Sequence, residues 1–351
     1  MKESTKKILN WGSSIVLLII IVIYFINQDV DWAKIWIYMK SADPLWVVLS
    51  VPVILLSHWI RAERWKTMMK PVQKVSSTWV LFKSVMVGYA VNCVLPRGGE
   101  FVRPLVYARR EKVSYSSTFG TIVVERFIDV ISLLILFGIA FLMFQDLITQ
   151  VISEVVQDDV NPTSIGIIAA MFFFVFLISF YPPVFEFFLR VLIKPISVNI
   201  YEKLKGAFDR FKHGFAIIKT PSAYIRIVIE TGLIWILYIM PMYLMFFAFD
   251  YMTALNLGFS DAFLLLIVVG FVVTIAPLPG QFGVYHAFVA GILVAIHPEL
   301  TKEQALAYAT LTHAINFAVQ LIVGGIFFFN ENLKKIPLDE KDIQKESAVK
   351  P

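Results

Sequence analysis

Long apolar blocks separated by short polar segments dominate the chain. The blocks are Ile15–Ile26, Leu45–Ile60, Val130–Phe144, Ile165–Phe180, Leu233–Phe249, Ala262–Ala276 and Ala314–Phe329. A helix needs roughly 20 mostly apolar residues to cross a bilayer. The pattern therefore predicts an all-α polytopic membrane protein with about six full spans, at 10–27, 45–60, 119–143, 164–181, 229–249 and 305–329. We expect one integral membrane domain over 1–335 and a flexible cytoplasmic tail over 336–351.

Helix-breaking residues interrupt two further apolar stretches. The stretch 79–95 runs into a Pro-Arg-Gly-Gly sequence, and the stretch 262–296 contains Pro-Leu-Pro-Gly-Gln-Phe-Gly. Proline and paired glycines do not continue a helix comfortably. We therefore predict two re-entrant helical hairpins rather than two more spans. Their breaks contain Pro96, Gly98, Gly99, Pro277, Pro279, Gly280 and Gly283.

The distribution of charge predicts how the spans are oriented. Lys and Arg are concentrated before residue 10 and in 61–78, 97–118 and 182–228, which we interpret as loops, whereas 145–163 has no basic residue. Because cytoplasmic loops are rich in Lys and Arg, both termini should lie in the cytoplasm. We expect the protein in the plasma (inner) membrane.

The same rule assigns each hairpin to a side of the membrane. The segments 61–78 and 97–118 are both basic, so the first hairpin should enter and leave from inside, whereas the acidic flanks of the second place it outside. The two halves, about 10–143 and 164–329, then form an inverted repeat, and paired interrupted helices are a pointer to a transporter's binding site. The alternative is that the breaks are only turns between short spans.

Composition narrows the function classes. The chain is 58% hydrophobic and 16% charged, with a mean hydropathy of +0.74, which excludes a soluble enzyme of this length. A single cysteine, Cys93, excludes a disulfide framework. The net charge of +5 falls largely in cytoplasmic segments, including a predicted basic amphipathic helix at 200–219, so we expect no nucleic-acid partner. We find no nucleotide or metal motif, so no metal, cofactor or catalytic residue is predicted.

The first hairpin carries candidate substrate-binding residues. These are Asn92, Arg97, Glu100 and Arg103. Arg97 lies in the break itself, where free backbone N–H groups and a guanidinium could hold a phosphate. Glu100 could pair with Arg103 and orient it. The alternative is that these arginines only signal topology.

A second set of charges lies in the span 119–143. Glu125 and Asp129 are four residues apart and share a helix face, and Arg126 is within reach of Asp129. Charges inside a span usually face a partner or a wet cavity. The alternative is a local ion pair that only positions the helix.

The second hairpin offers Gln281 and His286 as candidate substrate-binding residues, next to a helix N-terminus after Gly283. On the last span, His313, Asn316 and Gln320 form a polar stripe. Such a stripe could line a path or could join helices through hydrogen bonds. Trp32, Trp36 and Trp46 resemble an interfacial aromatic belt.

Three motifs resemble those of a known family. They are Gly-Tyr-Ala-Val-Asn at 88–92 with Pro-Arg-Gly-Gly-Glu-Phe-Val-Arg at 96–103, Val-Glu-Arg-Phe-Ile-Asp at 124–129, and Pro-Leu-Pro-Gly-Gln-Phe-Gly at 277–283. In this order they resemble the lysylphosphatidylglycerol synthase transmembrane region, or flippase-like domain, family over about 10–329.

The resemblance implies movement of lipid between leaflets. Members that also synthesise lysyl-lipid carry an aminoacyl-transferase domain. With about twenty residues after the last span, we expect no such domain in this chain and do not expect it to synthesise lysyl-lipid. Many relatives have Glu at the position of His286 in this chain. A role carried by that glutamate in the relatives is therefore in doubt here.

These observations favour a translocator of phospholipid or another anionic lipid-linked molecule. Arg97, Arg103 and Arg126 would attract the head group, while Glu100, Glu125 and Asp129 would hold the arginines or couple ions. The expected partners are membrane lipids, with a lipid-synthesising enzyme as a candidate. The alternatives are a membrane-embedded transferase acting on lipid-linked or polyprenyl-phosphate substrates, and an accessory subunit of such an enzyme.

Overall fold

The computed structural model describes residues 30–70, 77–147, 221–275 and 278–330, together with isolated residues between 149 and 206. These ranges are mainly helical, and they contain no strand. The predicted all-α membrane fold is confirmed. The helices are α1 (Trp32–Lys40), α2 (Pro44–Met69), α3 (Thr78–Val94), α4 (Gly99–Glu111), α5 (Tyr115–Met143), α6 (Pro221–Phe246), α7 (Asp250–Ala254), α8 (Phe259–Ile275), α9 (Val284–Ile296) and α10 (Lys302–Asn330).

Five segments of the described chain are long and apolar enough to cross a membrane. Four are α2, α5, α6 and α10, which match the spans predicted at 45–60, 119–143, 229–249 and 305–329. The fifth, Pro279–Ile296, contains a 3-10 turn before α9 and belongs to the second hairpin. The spans predicted at 10–27 and 164–181, the amphipathic helix at 200–219 and the tail at 336–351 lie outside the described residues, apart from isolated positions.

Two helices are longer than the apolar pattern predicts. The segments 61–69 and 221–228 were expected to be loops, but they are the end of α2 and the start of α6. The prediction was wrong because charge does not end a helix: Arg, Glu, Lys and Met are good helix formers. The start of α2 does follow the expected rules, since Asp43 accepts a hydrogen bond from the Leu45 N–H and Pro44 occupies the first turn.

The first break produces a tight helical hairpin. α3 ends at Val94, α4 begins at Gly99, and the two helices pack against each other. A Cβ on Gly99 would collide with the Gly88 carbonyl oxygen, so only glycine permits this approach. The Asn92 Oδ1 accepts a hydrogen bond of 2.7 Å from the Gly99 N–H. This bond satisfies one of the N–H groups that the start of α4 leaves without an intrahelical acceptor.

The second break joins α8 to α9, which also pack against each other. Three residues of this break have left-handed backbone, with φ of 57° at Gly280, 61° at Gln281 and 80° at Gly283. Pro277 lies outside the described residues. Both predicted hairpin shapes are therefore present, while the side from which each enters the membrane stays a prediction.

Contacts divide the chain into two units, one formed by Met1–Phe119 with Ile225–Pro351 and the other by Gly120–Tyr224. The described part of the first unit contains both hairpins, with α10 packed on α3 so closely that a Cβ on Gly324 would collide with the Met86 carbonyl. The described part of the second unit is mainly the rest of α5. The repeat boundaries predicted at 10–143 and 164–329 stay predictions.

The short helix α1 packs against α10. The Asp31 N–H donates to a Glu303 carboxylate oxygen at 3.4 Å. Trp32 and Trp36 are each more than half exposed on this helix. Exposed tryptophans beside a span are typical of the membrane interface, in keeping with the predicted aromatic belt.

Candidate functional site

The two hairpin breaks meet within the first unit. The Arg97 Nη2 donates a 2.6 Å hydrogen bond to the Thr274 carbonyl oxygen, in the last turn of α8. α3 also contacts the 3-10 turn Pro279–Gln281. The last carbonyls of a helix have no intrahelical donor, and they carry the negative end of its dipole. Arg97 therefore supplies both a donor and a positive charge where the second helix breaks.

Arg97 itself has left-handed backbone, with φ of 57°. Residues other than glycine rarely adopt this conformation, and it costs roughly 1–2 kcal/mol. The strained backbone directs a long cationic side chain from one break to the other.

The second break is attached to α10 by a histidine. The Nε2 of buried His313 lies 2.7 Å from the Gly280 carbonyl oxygen. The His286 ring lies 4.8 Å from the His313 ring, and the Gly283 N–H donates to the His286 Nδ1 at 3.3 Å. The predicted site residue Gln281 is half-buried in this break.

The rest of the predicted stripe on α10 also makes polar contacts. The Gln320 amide donates to the Asn316 Oδ1 at 3.1 Å, and the Cys93 Sγ lies 3.9 Å from the Gln320 Oε1. The first of these bonds lies within α10 and the second reaches α3, so both interpretations of the stripe stay open.

The other candidates of the first hairpin lie on α4. Glu100 is in the first turn of α4, where a carboxylate is stabilised by the helix dipole. Arg103 is buried, and its guanidinium carbon lies 3.9 Å from the centre of the Trp65 ring. This geometry is a cation–π contact between α4 and α2. The pairing of Glu100 with Arg103 stays a prediction.

The charges of α5 form an ion triad within the second unit. The Arg126 Nη2 lies 3.1 Å from a Glu125 oxygen and 2.9 Å from an Asp129 oxygen. The contact between Arg126 and Asp129 that the spacing predicts is therefore present. Glu125 is fully buried, whereas Arg126 is more than a third exposed. Whether the triad binds substrate is still a prediction.

The sequence patterns did not point to a buried cluster of basic and aromatic side chains that is centred on α2. Arg61 Nη1 donates to the hydroxyl of Tyr89 at 2.8 Å and to that of Tyr238 at 2.7 Å, and the two hydroxyls lie 3.1 Å apart. The His58 ring lies 4.2 Å from the Tyr89 ring. We call His58, Arg61, Tyr89 and Tyr238 the Arg61 cluster. A helical spacing of three between His58 and Arg61 was the available signal, but counting Arg61 as a loop charge concealed it.

A second interhelical network lies beyond the Arg61 cluster along α2. Arg226 donates to Glu230 at 2.7 Å and to Glu63 at 3.0 Å, and the Thr78 hydroxyl donates to Glu63 at 2.6 Å. The buried Arg64 donates to the Thr231 hydroxyl at 3.1 Å. These bonds join α2, α3 and α6, with α2 and α6 antiparallel, and they explain why the charged ends of both helices are ordered helix.

The described residues contain no group of three His, Cys, Asp or Glu side chains that could hold a metal ion. The clusters described above are built mainly from arginines, tyrosines, histidines and carboxylates paired with arginine. Such groups suit the binding of an anion.

Comparison with known proteins places the chain in a family. The glycosyltransferase AglD of Haloferax volcanii is 24% identical over 88% of this chain, which spans only 52% of that protein. UPF0104 membrane proteins of Pyrococcus horikoshii and Methanothermobacter thermautotrophicus are each 24% identical, over 82% and 83% of this chain and 88% and 83% of their own lengths. No solved structure matches. The family model of the lysylphosphatidylglycerol synthase TM region matches residues 12–324, so the chain is an integral membrane protein that belongs to this family.

Proposed function

We propose that the protein is a lipid translocator that moves an anionic phospholipid or lipid-linked molecule between the leaflets of the plasma membrane, with both termini in the cytoplasm. The observation that carries the proposal is the hydrogen bond from Arg97 in one hairpin break to the Thr274 carbonyl beside the other. Two interrupted helices in contact are the usual construction of a transporter's substrate site. Family membership supports the link to lipid.

The head group would be attracted by Arg97 and oriented by donors of the two breaks. Non-helical backbone at membrane depth is tolerated only where it is buried in protein or lines a wet cavity. Asn92, Gln281 and His286 are the polar side chains of the breaks, and Arg103 adds positive charge nearby on α4. The acyl chains would stay in the bilayer. The ion triad of the second unit is a separate candidate for ion coupling.

Leaflet exchange in proteoliposomes tests the proposal. Purified protein is reconstituted with head-labelled phosphatidylglycerol, a cationic aminoacyl lipid, phosphatidylethanolamine or a polyprenyl phosphate, and an impermeant quencher reports the outer leaflet. We expect an anionic lipid to exchange faster than in empty liposomes, and Arg97→Gln to slow that exchange. Arg110→Gln, on the exposed last turn of α4, is the matched control. No exchange of any lipid, with or without a pH gradient, would contradict the proposal.

The similarity to AglD favours a second candidate. In this proposal the chain is a membrane-embedded transferase, or the membrane part of an enzyme that transfers sugar to or from a lipid-linked substrate. Incubation of purified protein with a lipid-linked sugar donor, with and without a co-purified partner, distinguishes the two. Product formed without leaflet exchange would favour this candidate.

A further inference from the structure

The Arg61 cluster contains a buried imidazole that the proposed translocation through the breaks does not use. His58 is 2% exposed, and neither of its ring nitrogens has a hydrogen-bond partner within the described part of the chain. Buried polar side chains in native proteins are normally hydrogen-bonded, and an exception calls for an explanation such as a ligand or an ordered water. The position therefore calls for a partner that the described part of the chain does not supply.

The neighbours of His58 are donors arranged around one point of the helix bundle. Arg61 presents a guanidinium fixed by two phenol hydroxyls, one of which belongs to the ring that lies 4.2 Å from His58. Guanidinium, phenol and imidazole N–H groups all donate hydrogen bonds, and a phosphate offers several acceptor oxygens in different directions. The side chains named here are donors or carry positive charge, so the chemistry of the cluster suits an anion.

The position of the cluster favours an anion carried by a lipid. Arg61 and His58 lie about 12 and 17 Å along α2 from its end at Met69, at the helix rise of ~1.5 Å per residue. That depth is inside a spanning helix. Tyr89 and Tyr238 are only half-buried, so the cluster is not fully enclosed by the described residues. A head group attached to acyl chains reaches this depth while its chains stay in the bilayer.

We propose that His58, Arg61, Tyr89 and Tyr238 bind the phosphate group of an anionic lipid as a site separate from the hairpin breaks. The proposal rests on the proposed function and narrows its substrate class to lipids whose head group carries an accessible phosphate. The competing explanation is that His58 only fills space beside Tyr89. In that case an apolar ring of similar size could replace His58 without changing the affinity for phosphatidic acid.

Thermal unfolding of the purified protein in detergent tests this site directly. The probes are phosphatidic acid with hexanoyl chains, phosphatidylcholine with the same chains, and inorganic phosphate. We expect phosphatidic acid to raise the melting temperature in a saturable manner and phosphatidylcholine to raise it little. A shift of equal size with inorganic phosphate would assign the site to free phosphate rather than lipid and would overturn the lipid assignment.

Variants connect the shift to the cluster. We expect His58→Phe and Arg61→Gln to weaken the apparent affinity for phosphatidic acid at least about tenfold, the usual consequence of losing a charge-assisted hydrogen bond. Tyr238→Phe removes one hydroxyl and should weaken it less. Tyr308→Phe is the matched control, because Tyr308 is buried in the same unit with its hydroxyl on the Met242 carbonyl. If Arg61→Gln does not fold, the affinities of His58→Phe and Tyr238→Phe for phosphatidic acid still test the site.

The result separates this site from the translocation proposal. Undiminished affinity in folded His58→Phe and Tyr238→Phe would overturn the site, whether or not the protein exchanges lipid. Cluster-dependent binding without any leaflet exchange would support the site as a lipid-binding site and contradict translocation.

Discussion

The two hairpins have the same outline but are built with different chemistry. In the first, the turn between α3 and α4 is held by side chains and close packing: Asn92 accepts from Gly99, which lies against Gly88. In the second, three of the four positions 280–283 have positive φ, and His313 of α10 holds the Gly280 carbonyl. The first break brings charge and the second brings backbone groups, so their contact through Arg97 combines a cation with exposed carbonyl and N–H groups.

This difference predicts that the hairpins respond to different substitutions. The first should be intolerant of added volume at its packed glycines. The second should be intolerant of residues that cannot adopt positive φ. The free energy of unfolding, measured by SDS titration in mixed micelles, can therefore test the comparison one hairpin at a time.

Gly99→Ala should have the largest effect. The new Cβ meets the Gly88 carbonyl, which is backbone and cannot move aside cheaply, so we expect a loss of about 3 kcal/mol or no folded protein. Gly291→Ala in α9 is the matched control, because a Cβ there meets nothing within 4 Å. Equal stability of the two variants would show that the first hairpin is not closely packed.

Gly280→Ala should cause the next largest loss in the free energy of unfolding. Its φ of 57° costs an alanine roughly 1–2 kcal/mol. The nearest atoms are the rings of Phe282 and Phe317, which can rotate away, so the strain is mainly in the backbone. Gly280→Asn should lose less than Gly280→Ala, since asparagine tolerates this conformation better; the reverse order would contradict a backbone origin.

Asn92→Ala should cost about 1–2 kcal/mol, because it leaves the Gly99 N–H without its acceptor. Asn92→Asp keeps an acceptor oxygen at the same position. It should therefore retain most of the stability, since a carboxylate next to the start of α4 is stabilised by the helix dipole. A similar loss in both variants would place the cost elsewhere than in this hydrogen bond.

Arg97→Gln should change stability least, by less than about 1 kcal/mol, because the bond to Thr274 is at an exposed position. Its effect should appear instead in lipid exchange, which we expect to fall about tenfold if the guanidinium attracts the head group. Arg97→Lys keeps the positive charge but lacks the planar guanidinium. Its rate of lipid exchange should lie between those of the unmodified protein and Arg97→Gln. A large loss of stability with normal exchange would make Arg97 a structural residue.

The sequence predicted some of these features for clear physical reasons. Proline and glycine interrupt helices locally, so both breaks were found, and Arg126 reaches Asp129 because three residues make nearly one helical turn. The burial of Arg61 was missed because its partner Tyr238 is 177 residues away in the chain. A charge count also assigns every basic residue next to a span to a loop, which hid the helical ends of α2 and α6.

The contacts of Arg61 with Tyr238 and of Arg97 with Thr274 also have a consequence for biosynthesis. Each joins residues 177 positions apart, so neither can form until the second half of the chain has been made. At a synthesis rate of about 5–20 residues per second, this delay is on the order of 10–35 seconds. During that time the first hairpin and α2 are already in the membrane with these bonds unmade. The nascent chain therefore contains both arginines before the helices that supply these two partners, α6 and α8, have been made.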